Sequence, residues 1–261
     1  MGAVLSERVI DSLNANAIAP MPLPDDLVRQ TGLVLGRLRA RMPRVQCLTN
    51  TVGQPITANV LLAIGARVSM ATHPDEVVAM TASADALLIN LGTLDTARVA
   101  AIPRLLADAR VMALPRVLDP VFVEHSPRRL ALAREIIAAG PVIVKGNARE
   151  LAVLALPAHA TRVETGPVDR IGGTGDDDGI PIAHGHPWMA QVTGLGCAAG
   201  ALIAACAAVE ADPVLASASA LLMFGLAGEA AGKAATGPGS FAVAFLDALA
   251  ALDAAQIIAR A

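Results

Sequence analysis

Two hydrophobic rhythms alternate along this chain from residue 25 onward. Short apolar runs, "RVQCLT" (44–49), "RVSMA" (67–71), "ALLIN" (86–90), "RVLDP" (116–120) and "PVIVK" (141–145), have the length of strands buried on both faces. Between them lie longer stretches whose apolar residues recur every three to four positions, the period of an amphipathic helix. Asp25 or Asp26 caps the first of these, with Leu27, Leu33, Leu35 and Leu38 on its predicted apolar face before Pro43. A second spans 55–65, with Pro55 at its start and Gly65 as its stop. Further helices are predicted at 73–84, 94–110 (kinked at Pro103), 126–139 and 147–155. This order predicts an α/β fold: a mostly parallel central sheet with helices on both faces.

After Leu156 the rhythm changes. "TRVETGPVDRIGGTGDDDGIPIAHGHP" holds three short strand-like pieces, with a Gly/Asp turn at 172–179, and reads as a β-meander. Its "GDDDG" reads as a solvated hairpin tip rather than a cation site. Three helices follow at 197–209, 213–233 and 239–253, with Pro213 and Pro238 near the starts of the second and third. Ahead of all this, residues 1–24 form an N-terminal extension, in which "APMPLPDD" tethers a short leading helix to a single α/β domain at 25–261. Glu7 and Asp11 interrupt any apolar core of a signal peptide.

Residues 192–209, "VTGLGCAAGALIAACAAV", carry no charge and on length alone could span a membrane. Two glycines in the first turn, and Glu210, Asp212, Glu229 and Lys233 around the apolar stretches, favour a buried core helix. No membrane partner is expected.

Composition narrows the rest. The chain is 54% apolar but only 2% aromatic, so Ala, Val, Leu and Ile fill the core. Twenty basic against 23 acidic residues, in no long run of either sign, leave no basic footprint for nucleic acid. Cys47, Cys197 and Cys206 stand at no metal-ligand spacing and cannot all pair, which predicts a reducing, cytoplasmic setting. His184 and His186 have an i, i+2 spacing that a metal could use, but no carboxylate or cysteine lies near them in sequence.

In a parallel α/β sheet ligands bind beyond the carboxyl ends of the strands. Polar residues recur there: Asn50, Asn90 with Gly92 and Thr93, Asp119, and Lys145 with Asn147, while the meander adds Thr165. "TGLGC" (193–197) could converge backbone N–H groups from Gly194 and Gly196 on an oxyanion at a helix N-terminus; it reads equally as a tight turn entering a buried helix. There is no GxxxxGK[ST] loop and no GxGxxG after a strand. Asp119 before Pro120 could equally form a turn, Met70 belong to the core, and Glu150 face solvent.

"CLTNTVGQPITANVLLAIGARVSMATHPDEV", "ALLINLGTLD", "VLDPV", "VIVKGNARELAVL", "HGHP", "VTGLGC" and "GPGSF", in this order over most of residues 28–253, resemble the hydroxyethylthiazole kinase family of thiamine salvage. The resemblance implies a ribokinase-like fold and phosphorylation of the hydroxyethyl arm of 4-methyl-5-(2-hydroxyethyl)thiazole by ATP with Mg²⁺. It further implies that Cys197 is catalytic, that Asn50, Met70 and Gly194 bind the thiazole, and that Lys145 and Thr165 bind ATP. Asp119 and Glu150 would hold Mg²⁺ and its waters, and family members are typically trimers with thiazole sites between subunits. A thiol at a helix N-terminus is expected to have a lowered pKa.

Two features depart from the family pattern. "FVEH" (122–125) replaces a Gly/Ala-rich turn after "LDPV", and the stretch between "KGNARELAVL" and "TRVETG" is short, which predicts the loss of a helix and a partly uncovered sheet face. Two other readings accompany these departures: a kinase for a different small alcohol, and a non-catalytic binder of thiazole or nucleotide.

Overall fold

The computed structural model describes Leu23 and residues 25–172 and 179–261. The predicted leading helix and most of the "GDDDG" tip lie outside these residues. Eight strands form one sheet in the order β2-β1-β3-β4-β5-β6-β7-β8. They are β1 (Arg44–Leu48), β2 (Arg67–Ser69), β3 (Ala86–Asn90), β4 (Arg116–Asp119), β5 (Val142–Asn147), β6 (Ala160–Thr165), β7 (Asp169–Gly172) and β8 (Ile180–Ile182). Strands β1 to β6 pair in parallel, and β7 and β8 close one edge antiparallel as the meander predicted.

Alternate residues of each strand feed two cores. One contains Cys47, Leu88, Val117, Ile143 and Val163 and is covered by α1 (Asp25–Arg41), α2 (Gln54–Ile64), α8 (Leu195–Ala207), α9 (Pro213–Ala234), α10 (Pro238–Ala251) and α11 (Ala254–Arg260). The other contains Leu48, Leu87, Ile89, Leu118 and Val144, under α3 (Val77–Ala82), α4 (Thr96–Ala107), α5 (Ala109–Met112), α6 (Pro127–Ala138) and the short α7 (Ala148–Ala152). Strands buried on both faces explain the unbroken apolar runs.

Several helix details differ from the pattern reading. In α1 the buried face is Leu27, Thr31, Val34, Leu35 and Leu38, while Leu33 turns outward at 48% exposure. Positions 27, 31, 34 and 38 step by four and three residues along one stripe, and residue 33 falls off it. Helix α4 runs through Pro103, and the break comes instead at Asp108, whose extended backbone ends α4 and whose carboxylate caps α5 at Arg110 and Val111. The Asp108 carboxylate gives two otherwise unpaired N–H groups of α5 an acceptor, which favours a new helix start there.

The apolar 192–209 stretch forms α8, 13 residues long, packed between the sheet and α9. Helix α9 is long and apolar enough to cross a membrane, and 78% of that window is buried inside the molecule. Its Gly225 and Gly232 make room for the "HGHP" segment, and Gly228 makes room for Met189 just after it. A Cβ on Gly225 would stand 2.6 Å from His184 Cβ and 2.7 Å from its carbonyl oxygen, and one on Gly232 would stand 2.2 Å from the His186 ring. His184 Nδ1 lies 2.8 Å from Glu229 Oε1 on the same helix, and the His186 ring stacks on Phe241. These histidines lock a loop to a helix, and among the described residues no cluster of three or more His, Cys, Asp or Glu side chains is arranged for a metal.

Among the described residues α7 packs on the outer side of β5 and β6, and Arg162 pairs with Glu164 on that side of β6.

Candidate functional site at the carboxyl ends of the strands

Sheet order decides which side chains can meet. β1, β3, β4 and β5 are consecutive neighbours, so Asn50 just beyond β1, Asn90 ending β3, Asp119 ending β4 and Lys145 in β5 converge. Asn90 Nδ2 donates to Asp119 Oδ2 at 2.9 Å, and Asn90 Oδ1 accepts from Asn50 Nδ2 at 3.0 Å and from Gly92 N at 3.0 Å. Asn50 Nδ2 also reaches Cys197 Sγ at 3.2 Å. Lys145 Nζ closes the circuit, 3.4 Å from Asp119 Oδ2 and donating to Gly196 O at 3.0 Å. Asn90, the joint of this network, stood among the polar strand ends in the sequence, but nothing there singled it out.

Two helix N-termini meet beside the network. Gly194, at φ +85°, precedes α8, and a Cβ there would stand 2.7 Å from Ile56 Cγ2 and 3.0 Å from Gly53 Cα. Gly53 precedes α2, and a Cβ on it would come within 3.3 Å of Cys197 Cβ. Neither helix has a side-chain cap. Their free N–H groups and dipoles make this corner favourable to negative charge.

Burial sets the protonation preferences. Burial raises the Asp119 pKa, with the Lys145 charge opposing and the Glu150 charge adding to it. For Lys145 burial favours the neutral form, but the negative charge of Asp119 above all overrides it and the net direction is upward. Cys197 is pushed up, by burial first and by the charge of Asp119 second. This corrects the expectation of a lowered thiol pKa: a partly buried sulfur next to a carboxylate loses more than the helix dipole supplies.

Glu150 is 7% exposed, and both its oxygens are engaged, Oε1 by Phe122 N and Oε2 by Asn147 N, each at 2.8 Å. It forms a capping box with Asn147 at the start of α7. Its reach to Phe122 ties the "FVEH" segment to β5. Val121 and Phe122 there adopt φ of +27° and +54°, a left-handed turn suited to glycine, and the Phe122 ring stands 60% exposed.

The remaining candidates flank this centre. Thr165 ends β6 opposite Asn147 and lines a cleft of about 410 Å³ with Arg149, Glu164, Gly166 and Val168. Met70 follows β2 at the other side, half-buried against the larger core. Five strand spacings of about 4.8 Å separate β2 from β6, so Met70 and Thr165 stand on opposite flanks of Asp119, too far apart to line one small pocket.

A mostly parallel sheet whose strand ends join a lysine, an aspartate and two uncapped helix N-termini is an arrangement suited to receiving an anionic group. The model of the "Hydroxyethylthiazole kinase family" matches residues 35–163 and 153–255, two stretches that overlap at 153–163. A "Probable hydroxyethylthiazole kinase" of Agrobacterium fabrum is 45% identical over 87% of this chain and 92% of its own length. A "Hydroxyethylthiazole kinase" of Granulibacter bethesdensis is 44% identical over 88% and 92%. The solved hydroxyethylthiazole kinase protein of Pyrococcus horikoshii OT3 superposes with a TM-score of 0.79 at 34% identity, covering 86% of this chain and 94% of that one. An ADP/ATP-dependent NAD(P)H-hydrate dehydratase of Bacillus subtilis, at 14% identity and a TM-score of 0.51, shares the fold alone. The chain belongs to the hydroxyethylthiazole kinase family.

Proposed function

We propose that the protein transfers the γ-phosphoryl group of ATP to the hydroxyethyl arm of 4-methyl-5-(2-hydroxyethyl)thiazole, a step of thiamine salvage. The observation that carries this reading is the circuit Cys197–Asn50–Asn90–Asp119–Lys145–Gly196 at two converging helix N-termini. Phosphoryl transfer runs through a loose transition state, so positioning and charge neutralisation matter more than an activated nucleophile.

Lys145 supplies a fixed positive charge to the phosphates, and Thr165 lines the cleft proposed for the rest of ATP. Asn50 and Met70 bind the thiazole, and Gly194 binds it through its backbone. The phosphoryl group passes over the N–H groups at Gly194 and Gly196. Cys197 is held in the protonated thiol form, so it orients the acceptor hydroxyl, and the hydroxyl proton passes to a phosphoryl oxygen or to water as transfer completes.

The donor set fits Mg²⁺. Asp119 Oδ2 accepts from Asn90 and Lys145, while Oδ1 accepts no bond among the described residues. One free carboxylate oxygen suits an ion that keeps most of its waters and binds phosphate. Asp119 would hold it directly. Glu150, its oxygens already engaged by N–H groups, would hold it through water. Bound there, Mg²⁺ would offset charge on the phosphate oxygens.

We also propose a cytoplasmic homotrimer. Val52 in the turn before α2, Leu62 on α2 and Val243 on α10, which packs on α2, are 57%, 57% and 64% exposed, and they offer the apolar surface. Sedimentation velocity tests this directly: a species near three times the 26.5 kDa chain mass is expected, and a monomer at micromolar concentration refutes it.

The central test is ADP release by purified protein with ATP and Mg²⁺, with and without the thiazole alcohol, and mass analysis of the product. Thiazole-dependent ADP and a phosphorylated thiazole are expected. Binding without turnover would leave a non-catalytic relative, and turnover of other alcohols alone would change the acceptor.

A further inference from the structure

Behind the catalytic circuit lies a second, buried one. Arg98, on the first turn of α4, is 1% exposed and points its guanidinium back at the loop leaving β3. Its NH1 donates to Asn90 O at 3.1 Å, and its NH2 donates to Gly92 O at 2.8 Å and to Thr93 O. Its Nε pairs with Asp95 Oδ2 at 2.9 Å, while Asp95 Oδ1 accepts the Arg98 backbone N–H at 2.8 Å. One planar cation thus collects three carbonyls and a carboxylate in a loop that passes through the left-handed region at Thr93, φ +43°.

That loop is the one that holds Asp119. Leu91 N donates to Asp119 O at 2.9 Å, and the Asn90 side chain donates to Asp119 Oδ2 while receiving Asn50 Nδ2. Asp119 is therefore gripped by main chain and side chain, and both grips depend on the carbonyl fan that Arg98 gathers. Without a cation, three converging carbonyl dipoles repel one another in a site shielded from water. A lysine could meet them with only one compact charge and no planar fork.

We propose that Arg98 is a positioning residue for phosphoryl transfer, setting Asn90 and, through it, the orientation of Asp119 and Asn50. The proposal rests on the kinase reading above for its rate consequence, and on geometry alone for the placement of Asn90. Arg98 makes none of its side-chain hydrogen bonds to the β5–β6 cleft, so its effect on the reaction passes through Asn90 and Asp119 and falls first on the alignment of the reacting groups.

The test uses the full chain, with Arg98→Lys as the mild variant and Arg98→Met as the severe one, both checked for folding by circular dichroism. Displacing reacting groups by about 1 Å costs on the order of 100-fold in rate, so kcat should fall roughly tenfold in Arg98→Lys and roughly 100-fold in Arg98→Met, with KM for ATP changing by a smaller factor than kcat in each. Asn90→Ala combined with Arg98→Lys should cost little more than Asn90→Ala alone, because both act through one side chain. Losses in kcat that multiply, or that follow only the folded fraction, would overturn the proposal. A second readout needs no turnover: in protein labelled with ¹⁵N-asparagine, the side-chain amide resonances of Asn90 and Asn50 should move in Arg98→Lys. Unmoved resonances in a folded variant overturn the proposal whatever the enzyme does. A wild type without thiazole phosphorylation would instead sink the kinase reading, and the amide spectra would still decide what Arg98 holds.

Discussion

Asp119 and Cys197 belong to one hydrogen-bonded circuit, yet their surroundings assign them different work. Asp119 has an oxygen that accepts no bond among the described residues, beside a lysine, whereas Cys197 keeps its proton because burial and the aspartate both disfavour the thiolate. A loose transition state asks for charge neutralisation before it asks for a base. Asp119→Asn should therefore lower kcat by roughly 1000-fold or more, through loss of electrostatic stabilisation. Cys197→Ala should lower it by only about 10- to 100-fold, because a thiol that keeps its proton orients the acceptor hydroxyl without acting as its base. Steady-state kinetics at saturating ATP decides between them, and the reverse ranking would show the roles exchanged. At this scale the sequence was legible where chemistry is concentrated in one residue type, as at Asp119, Lys145 and Cys197. Asn90 and Arg98 escaped, because an asparagine at a strand end and an arginine in a first helical turn look the same whether they face water or hold a loop. Their roles exist only in the pairing of β3 with β4 and the close return of α4.

Among the elements, glycine shows how spacing can mislead and contacts decide. In α9, Gly225, Gly228 and Gly232 read in sequence as three losses of helix propensity, each on the order of 1 kcal/mol against alanine. In the fold they make room for the "HGHP" segment and Met189, and a Cβ at Gly225 would meet backbone atoms of His184 at 2.7 and 2.8 Å. Backbone cannot rotate aside, so overpacking of about 1–3 kcal/mol should exceed the propensity gain in Gly225→Ala. A drop of several degrees in Tm is expected, at roughly 2–4 °C per kcal/mol for a chain near this size. Gly36 in α1 is the counter-case, exposed and with nothing within 4 Å of a Cβ. Gly36→Ala should raise Tm by a few degrees. Thermal melts of the two variants settle both signs, and equal shifts in one direction would refute the contact argument. Most elements lay where periodicity placed them, because buried strands and amphipathic helices leave different patterns. Boundaries followed local hydrogen bonds instead, so the break in the 94–110 segment fell at the capping Asp108 rather than at Pro103.

Over the whole molecule, the parallel sheet was legible from alternation, but its edge was not. A missing helix predicted an uncovered face; the strands there answer with Arg162 and Glu164 outside and Val163 and Ile171 inside, so the edge behaves as a one-sided sheet. Asp169 starts β7 at this edge, and its Oδ1 accepts Gly166 N at 2.9 Å, closing the turn that borders the Thr165 cleft. Burial pushes its pKa from 3.8 to about 6, against the pull of the Gly166 N–H and the Lys145 charge. A carboxyl whose folded pKa lies above its unfolded one binds its proton more tightly in the native state. Its contribution to stability is then fully present below 3.8 and is lost as pH rises through about 6. Asp169→Asn keeps an oxygen for Gly166 N and carries no charge at any pH. The stability of the wild type relative to this variant should therefore fall between about pH 4 and pH 6 and stay level above about pH 7. Urea unfolding of both proteins across that range measures the difference. A gap that stays constant, or widens in favour of the wild type as pH rises, would mean that the carboxylate at the head of β7 is solvated and that the cleft edge is open to water there.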